Sequence, residues 1–110
     1  MNIPDPPHLV FGFRAAKRTV LEATLETKFR LAVRGLGGRV YKMMPTTKGM
    51  PDRLVLLPGG RMYLVELKTE AGTVSPRQRL LHEQAAEVGT LVHVIYGTAG
   101  VADWVAAHTA

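Results

Sequence analysis

Two short apolar runs, Arg53 to Leu57 and Met62 to Leu67, stand either side of Pro58-Gly59-Gly60-Arg61, and this juxtaposition constrains the fold more than any other feature of the chain. Runs of that length rich in valine, leucine and tyrosine suit a half-buried strand, and glycines between them supply the positive φ of a tight reversal. The pair predicts an antiparallel hairpin, and the rest of the chain has to be arranged around it. Upstream, from about Arg18 to Leu36, Leu21, Leu25, Phe29, Ala32, Val33 and Leu36 recur at three- and four-residue intervals, the spacing of an amphipathic helix that Gly35, Gly37 and Gly38 close. Arg39 to Met44 reads as a strand and Pro45 through Pro51 as a loop. Downstream, Ser75 before Pro76 opens a second helix, because serine caps orphan amides and proline is tolerated in the first turn. Leu80, Leu81, Ala85 and Val88 are its apolar positions and Gly89 stops it. Leu91 to Tyr96 is an apolar strand expected to be buried on both faces, and Val101 to Ala107 a last short helix. The predicted order is α-β-β-β-α-β with a further helix, an α/β fold.

The chain has 110 residues, 46% of them hydrophobic, which is the size and composition of one small globular domain. No stretch approaches the ~18 apolar residues of a membrane helix, and the opening segment lacks the basic flank and long apolar run of a secretory signal. A soluble, intracellular protein without a membrane partner is expected. The absence of cysteine excludes disulfides, iron–sulfur clusters, cysteine-ligated zinc and thiol catalysis. Packing alone must hold the core, and a chain this short buries only roughly two thirds of its unfolded surface, so a dimer contact that adds burial is expected. Residues 1–16, with Pro4, Pro6 and Pro7 ahead of the apolar His8 to Phe13, are read as an arm that docks on a domain of residues 17–110. The charge is lopsided: residues 1–79 hold fourteen basic and six acidic side chains, a net +8, whereas residues 80–110 hold three acidic and no basic ones, a net −3. A polyanion is the natural partner for the first part.

Chemistry enters at Pro51-Asp52, followed after thirteen residues by Glu66-Leu67-Lys68. Side chains alternate faces along a strand, so Glu66 and Lys68 project to one side and Val65 and Leu67 to the other. If the hairpin forms, the reversal brings Asp52 back beside Glu66, and two carboxylates converge with one ammonium at the end of a sheet. Hard carboxylate oxygens suit Mg²⁺ or Mn²⁺, which can polarise a phosphoryl oxygen and acidify a bound water. Charged residues also interrupt an otherwise apolar strand here, which is costly unless they are paired or bind metal. Lys48-Gly49-Met50 adds a basic approach loop. Against this, an aspartate at a strand start is common turn chemistry, and Glu-x-Lys on an exposed strand edge is an ordinary charge pair.

Lys48-Gly49-Met50-Pro51-Asp52, Glu66-Leu67-Lys68 and Thr73-Val74-Ser75-Pro76-Arg77-Gln78, in this order, resemble the virus-type replication-repair nuclease (VRR-NUC) domain, a branch of the PD-(D/E)xK nuclease superfamily. The resemblance runs from about Leu25 to Tyr96. It implies an αβββαβ core with a central mixed sheet flanked by helices, in agreement with the order read from the pattern. It also implies cleavage of DNA dependent on Mg²⁺ or Mn²⁺, with Asp52, Glu66 and the backbone carbonyl of Leu67 as metal ligands and Lys68 at the water. The family's acidic residue on the first helix falls on Glu26, with Glu22 one turn earlier as the alternative; Glu26 could instead pair with Arg30 at i+4. Gln78 matches the family's glutamine, joining the catalytic group near a metal-bound water or a phosphate unless it is a helix-surface residue.

A domain with no separate recognition module is expected to read backbone shape, such as a branch, flap or four-way junction, rather than sequence. A homodimer with two cleavage centres would suit a junction, and the resemblance implies work in the cytoplasm of a bacterial or phage-infected cell. The expected DNA grips are Arg14, Lys17 and Arg18 beside the arm, with Lys48, Arg53 and Arg77 around the site. His8, His82, His93 and His108 show no zinc spacing and read as surface or packing residues. Tyr41, Tyr63 and Trp104 read as core rather than as base-stacking platforms. Two rivals stay open: an archaeal-type junction resolvase on the same core, and a non-catalytic DNA-binding module, which would gain nothing from two carboxylates facing a polyanion.

Overall fold

The computed structural model describes residues 8–12 and 22–109. Their elements are β1 (His8–Phe11), α1 (Glu22–Gly35), β2 (Arg39–Lys42), β3 (Arg53–Leu57), β4 (Arg61–Lys68), α2 (Pro76–Glu87), β5 (Val92–Tyr96) and α3 (Gly97–His108). The strands form one five-stranded mixed sheet in the spatial order β1-β5-β4-β3-β2. The predicted hairpin is present: β3 and β4 run antiparallel with Leu57 opposite Arg61 and Arg53 opposite Val65. Gly59 and Gly60 turn the chain at φ of 84° and 76°. Strand β2 adds antiparallel to β3, whereas β5 lies parallel to β4 and β1 parallel to β5.

Alternation along the strands sorts the side chains into two layers. Val55, Leu57, Val65 and Ile95 meet Leu25, Phe29 and Val33 of α1 and Val101 and Trp104 of α3 in one buried cluster. Each such side chain contributes roughly 1.5–3 kcal/mol when fully buried. Glu66, next after Val65, therefore points the other way and meets Gln78 and His82 of α2. The β4-α2-β5 segment is the parallel crossover that lays this helix on the second face. The sheet thus lies between α1 with α3 on one side and α2 on the other, as an α/β fold requires. Among the described residues no helix is long and apolar enough to cross a membrane.

Away from the hairpin's open end, Trp104 forms the centre of an aromatic box. Its ring is edge-on to Phe29 and Tyr63 and stacked on His108 at 4.0 Å between centroids. Its indole Nε1 donates to His93 Nδ1 at 2.9 Å, and the Trp104 carbonyl meets His108 Nδ1 at 2.7 Å. Burial, with a smaller contribution from neighbouring His108, pushes the His93 imidazole down to about 4.

Three expectations change. His8 to Phe11 does dock, but as a parallel strand in register with Val92 to Ile95, so the order of described elements is β-α-β-β-β-α-β-α. Helix α3 begins at Gly97 rather than Val101, because two glycines that read as loop are accommodated in its first turns. Tyr41 is half exposed on the edge strand β2, while Trp104 is fully buried as expected. The rest of the arm, its boundary near residue 16 and the expected helix start from Arg18 to Leu21 lie outside the described residues.

Candidate active site

The hairpin register carries the site. With Arg53 opposite Val65, the residue before β3 comes alongside the residue after Val65, and Asp52 reaches Glu66 as the sequence predicted. The Met43 amide donates to the Asp52 carbonyl at 2.7 Å, one step beyond the Lys42–Arg53 pair, so the β2–β3 ladder holds the Asp52 backbone. A cleft of about 510 Å³ opens at this end of the sheet. Its walls include the four carboxylates Glu22, Glu26, Asp52 and Glu66 and the two ammonium groups of Lys42 and Lys68. Leu67, whose carbonyl is the implied backbone ligand, also lines it.

Gln78 ties these parts together. Ser75 Oγ accepts from the Gln78 amide at 3.1 Å while Gln78 Oε1 accepts from the Ser75 amide at 2.9 Å, a reciprocal capping box that satisfies two orphan donors at the start of α2. The same Oε1 accepts from Lys68 Nζ at 2.8 Å, and Nε2 donates to Glu66 Oε2 at 3.3 Å. One amide side chain therefore fixes the helix start, the ammonium and the carboxylate relative to one another. It is no helix-surface glutamine; its bonds go to the site's own side chains. Behind it, one turn along α2, His82 is fully buried with Nε2 3.9 Å from Glu66 Oε1. Glu66 is itself only 5% exposed, and among the described residues no hydrogen-bond donor reaches its Oε1.

Arg53, expected to grip DNA, is turned inward instead. It lies on the same face of β3 as Val55, the face toward α1, and its side chain is 11% exposed. Nη2 pairs with Glu26 Oε2, and Nη1 pairs with Asp52 Oδ1 at 2.7 Å. The guanidinium thus joins the sheet carboxylate to the helix carboxylate, and this pair replaces the Glu26–Arg30 pairing considered from the sequence. Arg77 is likewise committed, its Nε donating to the Lys48 carbonyl at 3.1 Å. The approach loop rests directly on α2 there: a Cβ on Gly49, whose φ is 93°, would lie 2.7 Å from the Arg77 carbonyl oxygen, so only glycine fits. Lys48 itself is exposed, and Arg14, Lys17 and Arg18 lie outside the described residues.

The donor chemistry of the cleft fits a hard divalent cation. Carboxylate oxygens and a backbone carbonyl dominate, and Glu66 Oε1 is a buried acceptor with no donor. Among the described residues no three His, Cys, Asp or Glu side chains are gathered into a ready ligand set. The Arg53 guanidinium instead stands between Asp52 and Glu26. Lys42 was missed from the sequence, His82 was read only as a surface or packing residue, and Arg53 as a DNA grip. Lys42 would have followed from running the antiparallel register one strand further, and the inward turn of Arg53 from counting the alternation back from Val55. His82 carries the signal of a lone polar residue four positions after Gln78 on the same helix face.

Comparison with known proteins gives concordant findings. No family model matches the chain. It is 35% identical over 79 residues to the protein named "Putative nuclease p44" of Acyrthosiphon pisum secondary endosymbiont phage 1, an alignment that spans 71% of this chain and 85% of the phage protein. The fold superimposes on a solved VRR-NUC domain with a TM-score of 0.66 and 29% identity, covering 81% of this chain and 97% of that domain.

Proposed function

Because the chain belongs to the virus-type replication-repair nuclease family, we propose that it hydrolyses DNA phosphodiester bonds with Mg²⁺ or Mn²⁺ at the cleft between Asp52 and Glu66. The observation that carries this reading is a buried glutamate with one unsatisfied oxygen, placed beside a second carboxylate and a tethered lysine in one open cleft. Asp52, Glu66 and the Leu67 carbonyl would hold the ion, joined by Glu26 once Arg53 gives it up. A bound divalent cation there polarises a phosphoryl oxygen and makes a water acidic enough to serve as nucleophile near neutral pH.

The chain's own groups supply the rest. An ammonium has three donors, and among the described residues one of Lys68's is engaged, by Gln78. Two remain to orient the attacking water and to meet a phosphate oxygen as negative charge develops on it. Gln78 keeps Nζ at a fixed position relative to Glu66, so the lysine is set in place before substrate arrives. Lys42, which also lines the cleft, offers a second ammonium to the backbone.

The substrate reading is a branched, flap or four-way-junction DNA recognised by backbone shape, in the cytoplasm of a bacterial or phage-infected cell. A homodimer would present two such clefts to a junction, and the apolar groove between α1 and α3, lined by Ala32, Val101, Ala102 and Val105, offers a surface for the contact. A monomeric mass by sedimentation, with and without junction DNA, would refute the dimer. The nuclease reading is tested by incubating linear duplex, single-stranded, flap and junction DNA with Mg²⁺, Mn²⁺ or EDTA, beside Lys68→Ala. Cutting that needs metal and vanishes in the variant is expected. Binding without cutting under every metal would favour the DNA-binding module, for which no observation speaks at present.

A further inference from the structure

We propose that Arg30, Arg34 and Arg39 form a second phosphate-binding site, a groove that holds the backbone of the substrate DNA about 12 Å along the protein from the cleavage cleft. The proposal rests on the nuclease reading above and adds a location that neither the sequence motifs nor the cleft supplies.

The groove, of about 80 Å³, lies between α1 and the edge strand β2 and is lined by the three arginines with Leu31 and Val40. Arg30 and Arg34 are one turn apart on α1, so like charges share one helix face, an arrangement that is unfavourable without an anion. Among the described residues none of the three is paired with a carboxylate; the one bond is from Arg39 Nη1 to the neighbouring Gly38 carbonyl at 2.9 Å. The remaining described arginines are otherwise engaged. Arg53 holds two carboxylates, Arg77 and Arg61 hold backbone carbonyls, and Arg79 lies beside Glu83. Among the described residues the uncommitted guanidinium groups are therefore concentrated in one place. The sequence has the same bias: between Glu26 and Asp52 there are six basic residues and no acidic one.

The groove is also aligned with the site. Helix α1 leaves the cleft at Glu22 and Glu26 and passes Arg30 and then Arg34, about 6 and 12 Å further along at 1.5 Å per residue. Strand β2, packed against α1, returns from Arg39 to Lys42, which lines the cleft, a distance of about 10 Å. Helix and strand thus join the two sites by a track on which, from Arg30 through Arg39 to Lys42, no acid intervenes. One strand of a duplex advances about 3.4 Å per phosphate along its axis, so the groove falls about three phosphates from the scissile one. Planar guanidinium forks suit phosphate oxygens and read no base, consistent with recognition of backbone shape.

The test is equilibrium binding of a fluorescent duplex and a four-way junction in EDTA across a salt series, for wild type and for the combined variant Arg30→Gln, Arg34→Gln and Arg39→Gln. Each lost phosphate contact removes about 0.9 from the slope of log affinity against log salt, so the slope is expected to fall by about 2 to 3 and low-salt affinity by at least about tenfold. Arg34→Gln alone should lower the slope by about 0.9, and replacing all three with lysine should restore most of it. Arg79→Gln, on the far helix, should change neither quantity. In Mg²⁺ with DNA at saturation, the combined variant should still cut. A combined variant with wild-type melting temperature, affinity and slope, alongside a wild type that binds and cuts, overturns the groove alone. A wild type that binds no DNA overturns the groove and the nuclease reading together.

Discussion

Two clusters of buried polar side chains sit at different places in this fold and are treated differently. In the aromatic box, among the described residues, no buried side-chain nitrogen or oxygen lacks a partner: the Trp104 indole donates to His93, and His108 meets the Trp104 carbonyl. At the cleft, Glu66 Oε1 and Arg53 Nε are both buried without a hydrogen-bond partner among the described residues. A buried polar group left unmatched costs about 1–3 kcal/mol, more if charged. The first cluster therefore holds the molecule together, while the second is held in place by the molecule at a cost. Local rules obeyed in one region and broken in another fit the second to the role proposed for it above.

That contrast can be broken or sharpened by separating activity from stability. The largest effect is expected at the cleft. Lys68→Ala or Glu66→Gln should reduce DNA cleavage by roughly 10³-fold or more while leaving the melting temperature near the wild-type value; a Glu66→Gln protein that still cuts would remove that carboxylate from the site. Trp104→Ala should do the reverse. It should cost about 3–5 kcal/mol in urea denaturation, with cleavage by the folded fraction retained. Mg²⁺ should stabilise the wild type by about 2.7 kcal/mol at a hundredfold excess over its dissociation constant, measured by thermal shift. The same addition should leave Glu66→Gln unmoved.

Acidity probes the box. The folded protein keeps His93 neutral to about pH 4, whereas the unfolded chain takes up the proton near 6.5. The unfolded state thus binds more protons across that window, so stability is unaffected above it, falls as pH drops from 6.5 to about 4, and is roughly 3 kcal/mol lower below it. His93→Phe should flatten the profile in urea melts at several pH values, and a wild type that gains stability on acidification over this range would contradict the buried neutral imidazole. The smallest effect separates two neighbours on α1. Glu26→Gln, which loses the Arg53 pair, should lower cleavage several-fold more than Glu22→Gln, and the reverse order in initial rates would exchange their roles.

What could be read in advance follows from how local each feature is. The approach of Asp52 to Glu66 needed only the hairpin, whose strands are joined by Pro58, Gly59 and Gly60. The capping box was latent in Ser75-Pro76-Arg77-Gln78, although the second use of Gln78, between Lys68 and Glu66, depends on where α2 lands on the sheet. Arg53 was misread because a cation beside a nuclease motif suggests DNA, whereas strand alternation turns it toward Glu26. Strand β1 offered four residues after a proline-rich lead, and its partner lies more than eighty positions away, so no local pattern could pair them. Tyr41 looked like core because its apolar neighbours do, but it belongs to the outermost strand, where one side has no sheet to cover it.

The pairing of β1 with β5 also sets a timetable. The strand that emerges first from the ribosome must wait for the one that emerges last, and pairing across so long a separation is slow because loop closure has to precede any reward. The β3–β4 hairpin can form as soon as it is synthesised, yet Glu66 gains its neighbour Val94 only when β5 arrives. A nascent chain therefore carries the chemical groups of the cleft long before it has the sheet that fixes them, and assembly of a competent centre is deferred until nearly all of the domain has left the tunnel.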